Sequence, residues 1–164
     1  MNRPHVYLSS SWKNRVRVRA FAEALRLCHL TPYDFTDPRC RQTPEIPPEK
    51  YPCLFDPAKH VYGDYLNVPE WRTAVETNQR AIDACPLAVL LLPCGLDAHA
   101  DWGYAVGRGK KTAIVGAPPA GERVPTHLWA DAFCKTDLDA LAWCCRTMQV
   151  DPPSEDARMK LVTL

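Results

Sequence analysis

The sequence lacks the features that mark several large classes of protein. No stretch approaches the roughly 18 consecutive apolar residues of a membrane span, and the first residues, Met-Asn-Arg-Pro-His, have no apolar segment like that of a signal peptide. Basic residues outnumber acidic ones by only 20 to 19, and no run of like charges occurs. A basic surface for nucleic acid is therefore not expected. We expect a cytoplasmic protein that binds neither membranes nor nucleic acid.

Glycine-rich cofactor motifs are also missing. No G-x-G-x-x-G follows the first predicted strand, and no G-x-x-x-x-G-K-[ST] occurs anywhere in the chain. These motifs carry dinucleotide and triphosphate binding, because their backbone approaches the phosphates closely. The sequence therefore predicts neither a dinucleotide oxidoreductase nor a P-loop enzyme, and we expect no cofactor.

The eight cysteines include no pair with C-x-x-C spacing. Most lie in apolar runs, where a free cysteine behaves as a small hydrophobe, so we interpret them as reduced structural thiols. Cys40, Cys53 and His60 lie in one loop and offer a metal alternative, but their spacing is irregular and we predict no metal. Cys94 is a possible nucleophile, although a close-packed turn residue is the favoured interpretation because the sequence supplies no base for it.

Strand-like and helix-like segments alternate along the 164 residues. A chain of this length forms one domain, and apolar strands that alternate with helices indicate a parallel sheet with right-handed crossovers. We predict the α/β class: a single-domain, doubly wound parallel sheet, flavodoxin- or Rossmann-like, of about five strands with helices on both faces. Strands are predicted at 5–9, 30–33, 87–92, 112–115 and 133–134, and helices after Ser11 and at 69–84, 97–107, 125–132 and 137–147.

Two segments fall outside this alternation. Half of the sixteen prolines lie between Pro32 and Pro69, and a long proline-rich loop inside a compact domain is usually functional or disordered. Its aromatic content argues against disorder, so we predict a lid over residues 36–69. The domain is expected to span residues 1–150. Residues 151–164 show no periodicity and are predicted to be a mobile tail or an arm on a neighbouring subunit.

The strongest candidate for an active site follows the strand predicted at 87–92. Its apolar run has no polar alternation, as expected of a strand covered on both faces, and open α/β sheets bind ligands beyond the carboxyl ends of such strands. Asp97, His99 and Asp101 lie there within five positions. On a regular helix Asp97, a possible N-cap, shares a face with Asp101 and Tyr104, whereas His99 points away.

Other polar residues are candidates at the same edge. Ser9, Ser10 and Ser11 precede an amphipathic helix, so they either bind an anion or sugar at its N-terminus or simply cap it. Asp34 either contacts a ligand hydroxyl or forms a turn. Asn78 lies on an otherwise apolar helical stripe and is either a satisfied core amide or a residue facing the ligand cleft.

Two motifs resemble the nucleoside 2-deoxyribosyltransferase-like family. They are Val6-Tyr-Leu-Ser-Ser-Ser-Trp-Lys-Asn14 and Pro93-Cys-Gly-Leu-Asp-Ala-His-Ala-Asp-Trp-Gly-Tyr-Ala-Val-Gly-Arg-Gly-Lys110. The second is similar to the family pattern P-C-G-R-S-A-H-x-E-x-G-Y/W-A-x-G-x-G-K, and the likeness extends from Val6 to about Val115.

The resemblance implies cleavage or transfer at the N-glycosidic bond of a (deoxy)nucleoside or nucleoside 5′-monophosphate through a carboxylate nucleophile. It implies Asp101 as nucleophile with Tyr7 and Asp97 as catalytic partners. Substrate contacts are implied for Ser9, Ser10, Ser11, Asn14, Asp34, Asn78, Gly95 and His99. It also implies a small-molecule ligand and a homodimer or higher homo-oligomer in which a neighbour completes the site.

The chain departs from the family pattern at chemically important positions. Asp101 stands where the pattern has Glu, and Asn78 where an Asp is expected. A carboxylate on a shorter side chain is displaced by on the order of 1 Å, which can cost about a hundredfold in rate. Three interpretations follow: Asp101 is still the nucleophile, Asp97 shares its work, or the chain is a non-catalytic nucleotide-binding or sensor protein. A relative that cleaves the nicotinamide bond of NAD is a further alternative.

Overall fold

The computed structural model describes residues 3–40 and 68–162, which form one five-stranded, all-parallel sheet with strand order β2-β1-β3-β4-β5. The strands are β1 Val6–Ser9, β2 Pro32–Tyr33, β3 Leu87–Leu91, β4 Lys111–Val115 and β5 Ala132–Cys134. The helices are α1 Arg15–Leu27, α2 Pro69–Ala84, α3 Leu96–Gly107, α4 Asp137–Met148 and α5 Glu155–Val162, with short 3-10 helices at Trp12–Asn14 and Pro125–Trp129. The predicted doubly wound α/β fold is confirmed.

The alternation of side chains along the strands divides the core between the two faces of the sheet. Val6 and Leu8 point toward α1, α4 and α5, where they pack with residues such as Phe21 and Leu141. Tyr7 points to the opposite face, which α2 and α3 cover. Every residue of β3 is buried, as expected for a central strand covered on both sides.

Helix starts differ in detail from the predictions. Ser11 caps the 3-10 helix Trp12–Asn14 by accepting a hydrogen bond from the Lys13 amide, and α1 begins after Asn14 without a side-chain cap. Asp97 was predicted as a possible N-cap, and this is wrong: Gly95 is the N-cap of α3 and Asp97 lies within its first turn. Thr136 caps α4 through a reciprocal pair of hydrogen bonds with Asp139.

The C-terminal segment packs onto the domain. A tail or arm was predicted from Asp151 onward, but α5 spans Glu155–Val162 and lies against α1. Ala157 is fully buried, and Leu161 packs on the same core. The prediction was wrong because a short helix that buries so few side chains leaves no periodic apolar pattern in the sequence.

Three further predictions depend on what the described residues include. The proposed lid at 36–69 falls mostly outside them, as do Cys53 and His60 of the metal alternative. Within the described part of the chain, no group of three or more His, Cys, Asp or Glu side chains can hold a metal ion, and every cysteine is a free thiol. None of the described helices is both long and apolar enough to cross a membrane.

Candidate active site

Asp101 lies on α3 where that helix faces β1 and α2. Its Oδ2 atom accepts a hydrogen bond of 2.6 Å from the Tyr7 hydroxyl and one of 3.0 Å from the Asn78 side-chain amide. Three predicted site residues from three separate elements therefore meet at one carboxylate oxygen. Because both bonds fall on Oδ2, Oδ1 has no donor among the described residues and remains available to a ligand.

A second tyrosine, which the sequence did not single out, fixes the orientation of Asn78. Tyr33 of β2 pairs with Tyr7 in register, and the two rings stack with centroids 5.3 Å apart. The Tyr33 hydroxyl donates to Oδ1 of Asn78 over 3.2 Å. Since that oxygen accepts from Tyr33, the nitrogen of the same amide must face Asp101 as a donor.

The surroundings of the site keep Tyr7 neutral and raise the pH at which Asp101 ionises. Burial raises the pKa of Asp101 above that of an ordinary aspartate, the hydrogen bonds from Tyr7 and Asn78 lower it, and the charge of Asp97 raises it. Burial and the neighbouring Asp101 raise the pKa of Tyr7 well above its usual value. Tyr7 is therefore a stable hydrogen-bond donor, and Asp101 is the member of this pair that ionises first as the pH rises.

Asp97 lies one turn before Asp101 and is exposed. It acts on Asp101 through its charge, in the direction that favours the protonated carboxyl group. Its exposed carboxylate is placed to meet a molecule that enters from solvent.

The three serines have structural partners. Ser9 donates to the carbonyl of Ala98 over 2.8 Å, and Ser10 donates to the carbonyl of Leu91 over 2.9 Å. Ser9 therefore ties the end of β1 to α3, and Ser10 ties it to β3. Ser11 caps the following 3-10 helix. The hydroxyl protons of Ser9 and Ser10 are therefore engaged, whereas the Ser11 hydroxyl accepts from Lys13 and its proton has no acceptor among the described residues.

Asn14 and Arg17 hold the turn between β3 and α3. The Asn14 amide donates to the carbonyl of Pro93 over 2.6 Å, and the Arg17 guanidinium donates to the carbonyl of Leu92. Arg17 also binds Asp137 at the start of α4, with 2.9 Å between Nε and Oδ2. An open cleft of about 370 Å³ is lined by Lys13, Asn14, Val16, Arg17 and Asp137. Arg17 was missed by the sequence argument, because its partners lie 75 and 120 residues away.

Asp34 and Gly95 complete the predicted set at this edge. Oδ1 of the buried Asp34 accepts from both the amide and the hydroxyl of Thr36, at 2.8 and 2.7 Å, so the side chain forms the turn that was the alternative to ligand contact. Gly95 caps α3, and a Cβ at this position would meet no atom within 4 Å. The space beside Gly95 is therefore open.

His99 points away from Asp101, as the helical spacing predicted. Its Nε2 lies 3.1 Å from Nε2 of His127, and its Nδ1 lies 3.0 Å from the carbonyl of Gly95 and 3.5 Å from the Cys94 sulfur. Burial raises the pKa of the Cys94 thiol to about 11, so it is not an activated nucleophile. His127 was not predicted, because no local pattern connects it to a helix 28 residues earlier in the chain.

The chain was also compared with known proteins. No protein-family model matches it. No curated protein matches it either.

Proposed function

We propose that the chain cleaves or transfers at the N-glycosidic bond of a (deoxy)nucleoside or nucleoside 5′-monophosphate, with Asp101 as the nucleophile. The observation that carries this proposal is the carboxylate of Asp101, held through Oδ2 by Tyr7 and Asn78 with Oδ1 left without a donor among the described residues. Such an arrangement directs one oxygen lone pair outward while neutral donors fix the other oxygen.

The first step displaces the base. Oδ1 of ionised Asp101 forms a bond to C1′ of the sugar while the C1′–N bond breaks. The electron pair of that bond leaves with the base, which takes up a proton from solvent water. The sugar carbon becomes oxocarbenium-like on the way, so a nearby anionic carboxylate stabilises it as well as attacking it. Asp97, exposed one turn away, is our candidate for contact with the base or a sugar hydroxyl.

The second step releases the sugar from Asp101. An oxygen of water or a nitrogen of a second base bonds to C1′ and releases its proton to solvent, and the electron pair of the ester bond returns to the carboxylate. Water gives hydrolysis and a second base gives transfer. Tyr7 remains protonated throughout because its pKa is far above neutral, so we assign it and Asn78 to positioning Asp101 and not to proton transfer.

The resemblance to the deoxyribosyltransferase-like family supports the same reaction class. The hydrogen bond from Tyr7 addresses whether aspartate, which is shorter than the glutamate of the family pattern, still reaches its place in the site. An aspartate at position 101 lies 2.6 Å from the tyrosine hydroxyl, so the loss of one methylene does not separate these two groups. Asn78 is engaged at both ends of its amide, by Tyr33 and Asp101, which favours positioning over direct contact with substrate.

The test is release of free base from a panel of ribo- and deoxyribonucleosides and their 5′-monophosphates, with and without an acceptor base, followed by chromatography. We expect release by the wild-type chain and a loss of at least about a hundredfold in Asp101→Asn, the scale of a misplaced or missing reacting group. Asp83→Asn is the matched control, since Asp83 lies elsewhere on α2 and pairs with Arg108. Equal release by Asp101→Asn and wild type would contradict the assignment.

Binding of the panel without release by the wild-type chain would instead support the alternative, a nucleotide-binding or sensor protein on the same scaffold. Calorimetric titration of each nucleotide separates these outcomes, because fold alone does not fix function. If neither wild type nor Asp97→Ala releases base, and Asp97→Ala no longer binds the nucleotide, the same cleft is identified as a recognition site.

We also propose that the small-molecule site works within a homodimer or higher homo-oligomer. Leu128 and Trp129 are adjacent on the 3-10 helix before β5 and are 81% and 62% exposed, so together they form an apolar surface that a second copy of the chain could cover. Trp143, in contrast, packs on the core. Light scattering after size-exclusion chromatography gives the mass directly, and a monomer at all concentrations tested would contradict this part of the proposal.

A further inference from the structure

Two histidines that the proposed reaction does not use meet beside α3. His99 lies on α3, and His127 on the 3-10 helix Pro125–Trp129 that leads into β5. Their Nε2 atoms are 3.1 Å apart, the ring planes differ by 4°, and the ring centroids are 5.3 Å apart. The centroid separation exceeds the nitrogen separation by about two ring radii, so the rings lie end to end in one plane. Each Nε2 therefore points directly at the other, as in an N–H···N hydrogen bond.

The neighbours of His99 decide which ring donates. Nδ1 of His99 lies 3.0 Å from the carbonyl oxygen of Gly95, and a carbonyl can only accept, so this nitrogen carries a proton. In a neutral His99 ring, Nε2 is then the acceptor. The donor must be the Nε2–H of His127. One tautomer pair thus satisfies every hydrogen bond around the two rings.

This pair can take up one proton without breaking. A proton added at Nδ1 of His127 makes an imidazolium that still donates from Nε2 to His99. A second proton has only Nε2 of His99 to occupy, where it faces the N–H of its partner. Two N–H groups and two like charges then oppose each other, and the bond is lost.

The surroundings of His127 favour its uncharged form. His127 is buried and packs edge-on against Trp102, with centroids 6.0 Å apart. Burial and then the charge of His99 lower the pKa of His127. Cys94, beside Nδ1 of His99, has a thiol pKa of about 11 and is neutral in this range.

The charged groups on the neighbouring elements are directed elsewhere. On α3, Asp101 binds Tyr7 and Asn78, and Asp97 is exposed. On the chain that flanks the 3-10 helix, Glu122 and Arg123 are exposed. Asp131 binds Lys111 and the amide of Thr112. Among these described groups, none offers His127 a carboxylate partner that would hold a second proton.

We propose that His99 and His127 form a proton-sharing latch that holds the segment Pro125–Trp129 against α3 and opens when both rings are protonated. The latch is closed with no proton or one proton added and open with two. The latch acts on the helix that carries Asp101, but its two histidines take no part in the proposed reaction, and it can exist whether or not that reaction occurs.

The first test reads the tautomers. Nitrogen-15 spectra of the histidine side chains at pH 7.5 are expected to show a proton on Nδ1 of His99 and on Nε2 of His127, and the two rings are expected to titrate in two coupled steps. Independent titration of both rings, each with an ordinary single step, would overturn the proposal. So would a saturable shift of both rings on addition of Zn²⁺ at one ion per chain, because that result would identify a metal site.

The second test reads the opening. Hydrogen exchange of amides 126–129, corrected for intrinsic rates, is expected to accelerate by about tenfold or more between pH 7 and pH 5. Each pKa unit by which the pairing lowers the second protonation corresponds to a tenfold preference of the doubly protonated form for the open state. His127→Gln should abolish this acceleration, because an amide can either donate to or accept from His99. His127→Phe should exchange fast at both pH values.

The control is His29→Asn, which removes an exposed histidine from a left-handed backbone position that asparagine tolerates. It should retain the wild-type pH dependence. If His127→Gln retains that dependence as well, or if wild-type exchange is unchanged at pH 5 while both rings are protonated, the latch does not exist.

Discussion

Replacing Asp101 by asparagine should make the protein more stable at neutral pH. The pKa of Asp101 is raised by burial, so the folded chain holds this proton at pH values where the unfolded chain has released it. The stabilising contribution of the group is complete below the unfolded pKa and is lost as the pH rises through the folded one. At pH 7 the ionised, half-buried carboxylate is therefore a net cost to folding, which asparagine removes without a change of shape.

The size of the effect follows from two opposing contributions. Relief from desolvation of the charge is favourable by on the order of several kcal/mol. The bonds from Tyr7 and Asn78 change from charge-assisted to neutral, which loses about 1 kcal/mol each. The upward direction of the pKa shift means that desolvation is the larger of the two, so we expect a net gain of about 0.5–2 kcal/mol, within the range typical of substitutions that relieve a functional site.

Urea unfolding at several pH values between 4 and 7 measures this difference. Asp101→Asn should unfold at higher urea than wild type at pH 7, and the two chains should converge as the pH falls and the wild-type carboxyl group takes up its proton. Asp83→Asn controls for the loss of one negative charge, and its exposed pair with Arg108 should contribute about 0–1 kcal/mol at most. A less stable Asp101→Asn at pH 7, or an advantage that grows in acid, would refute the electrostatic reasoning.

Three further substitutions test separate parts of the structure. Tyr7→Phe removes a hydrogen bond that lowers the pKa of Asp101, so carbon-13 titration of that carboxyl group should move to higher pH; a move to lower pH would contradict the geometry. Trp102→Phe removes an indole N–H that is buried without an acceptor among the described residues. Removing this unpaired donor should largely offset the free energy lost to the smaller ring, so the free energy of unfolding in urea should lie within about 1 kcal/mol of wild type. A decrease of more than about 3 kcal/mol would indicate that the N–H has an acceptor. Thr136→Ala breaks the capping box of α4 and should lower the free energy of unfolding in thermal denaturation by about 1 kcal/mol. Thr147→Ala, in the last turn of the same helix, should lower it by less. Equal decreases in the two variants would show that the cap does not stabilise α4.

The sheet was predictable because each strand has a short apolar run of its own in the sequence. The apolar run of β3 and the polar edge that follows it required no knowledge of distant residues. Tyr7 entered the predicted site only through the family resemblance, and Asn78 through its polar position on an apolar helical stripe. The structure brings both side chains to Asp101. Helical spacing also indicated that His99 points away from Asp101.

The remaining features depend on long-range packing. Tyr33 joins the site because β2 pairs with β1 in one register, and His127 meets His99 because the chain between β4 and β5 folds back over α3. Neither contact has a local signature. The helix α5 was missed for a different reason: it is stabilised by its packing against α1 and not by an amphipathic pattern of its own.

The most direct test of the central proposal is to find the covalent bond. The wild-type chain is mixed with a nucleoside or nucleotide that releases base, quenched in acid within the first turnover, digested and mapped by mass spectrometry. We expect a peptide that contains Asp101 to gain the mass of one glycosyl group, with fragmentation that locates the ester on Asp101, and we expect no such adduct in Asp101→Asn. Release of base without an adduct in the wild type, together with undiminished release by Asp101→Asn, would contradict the assignment of Asp101 as the nucleophile.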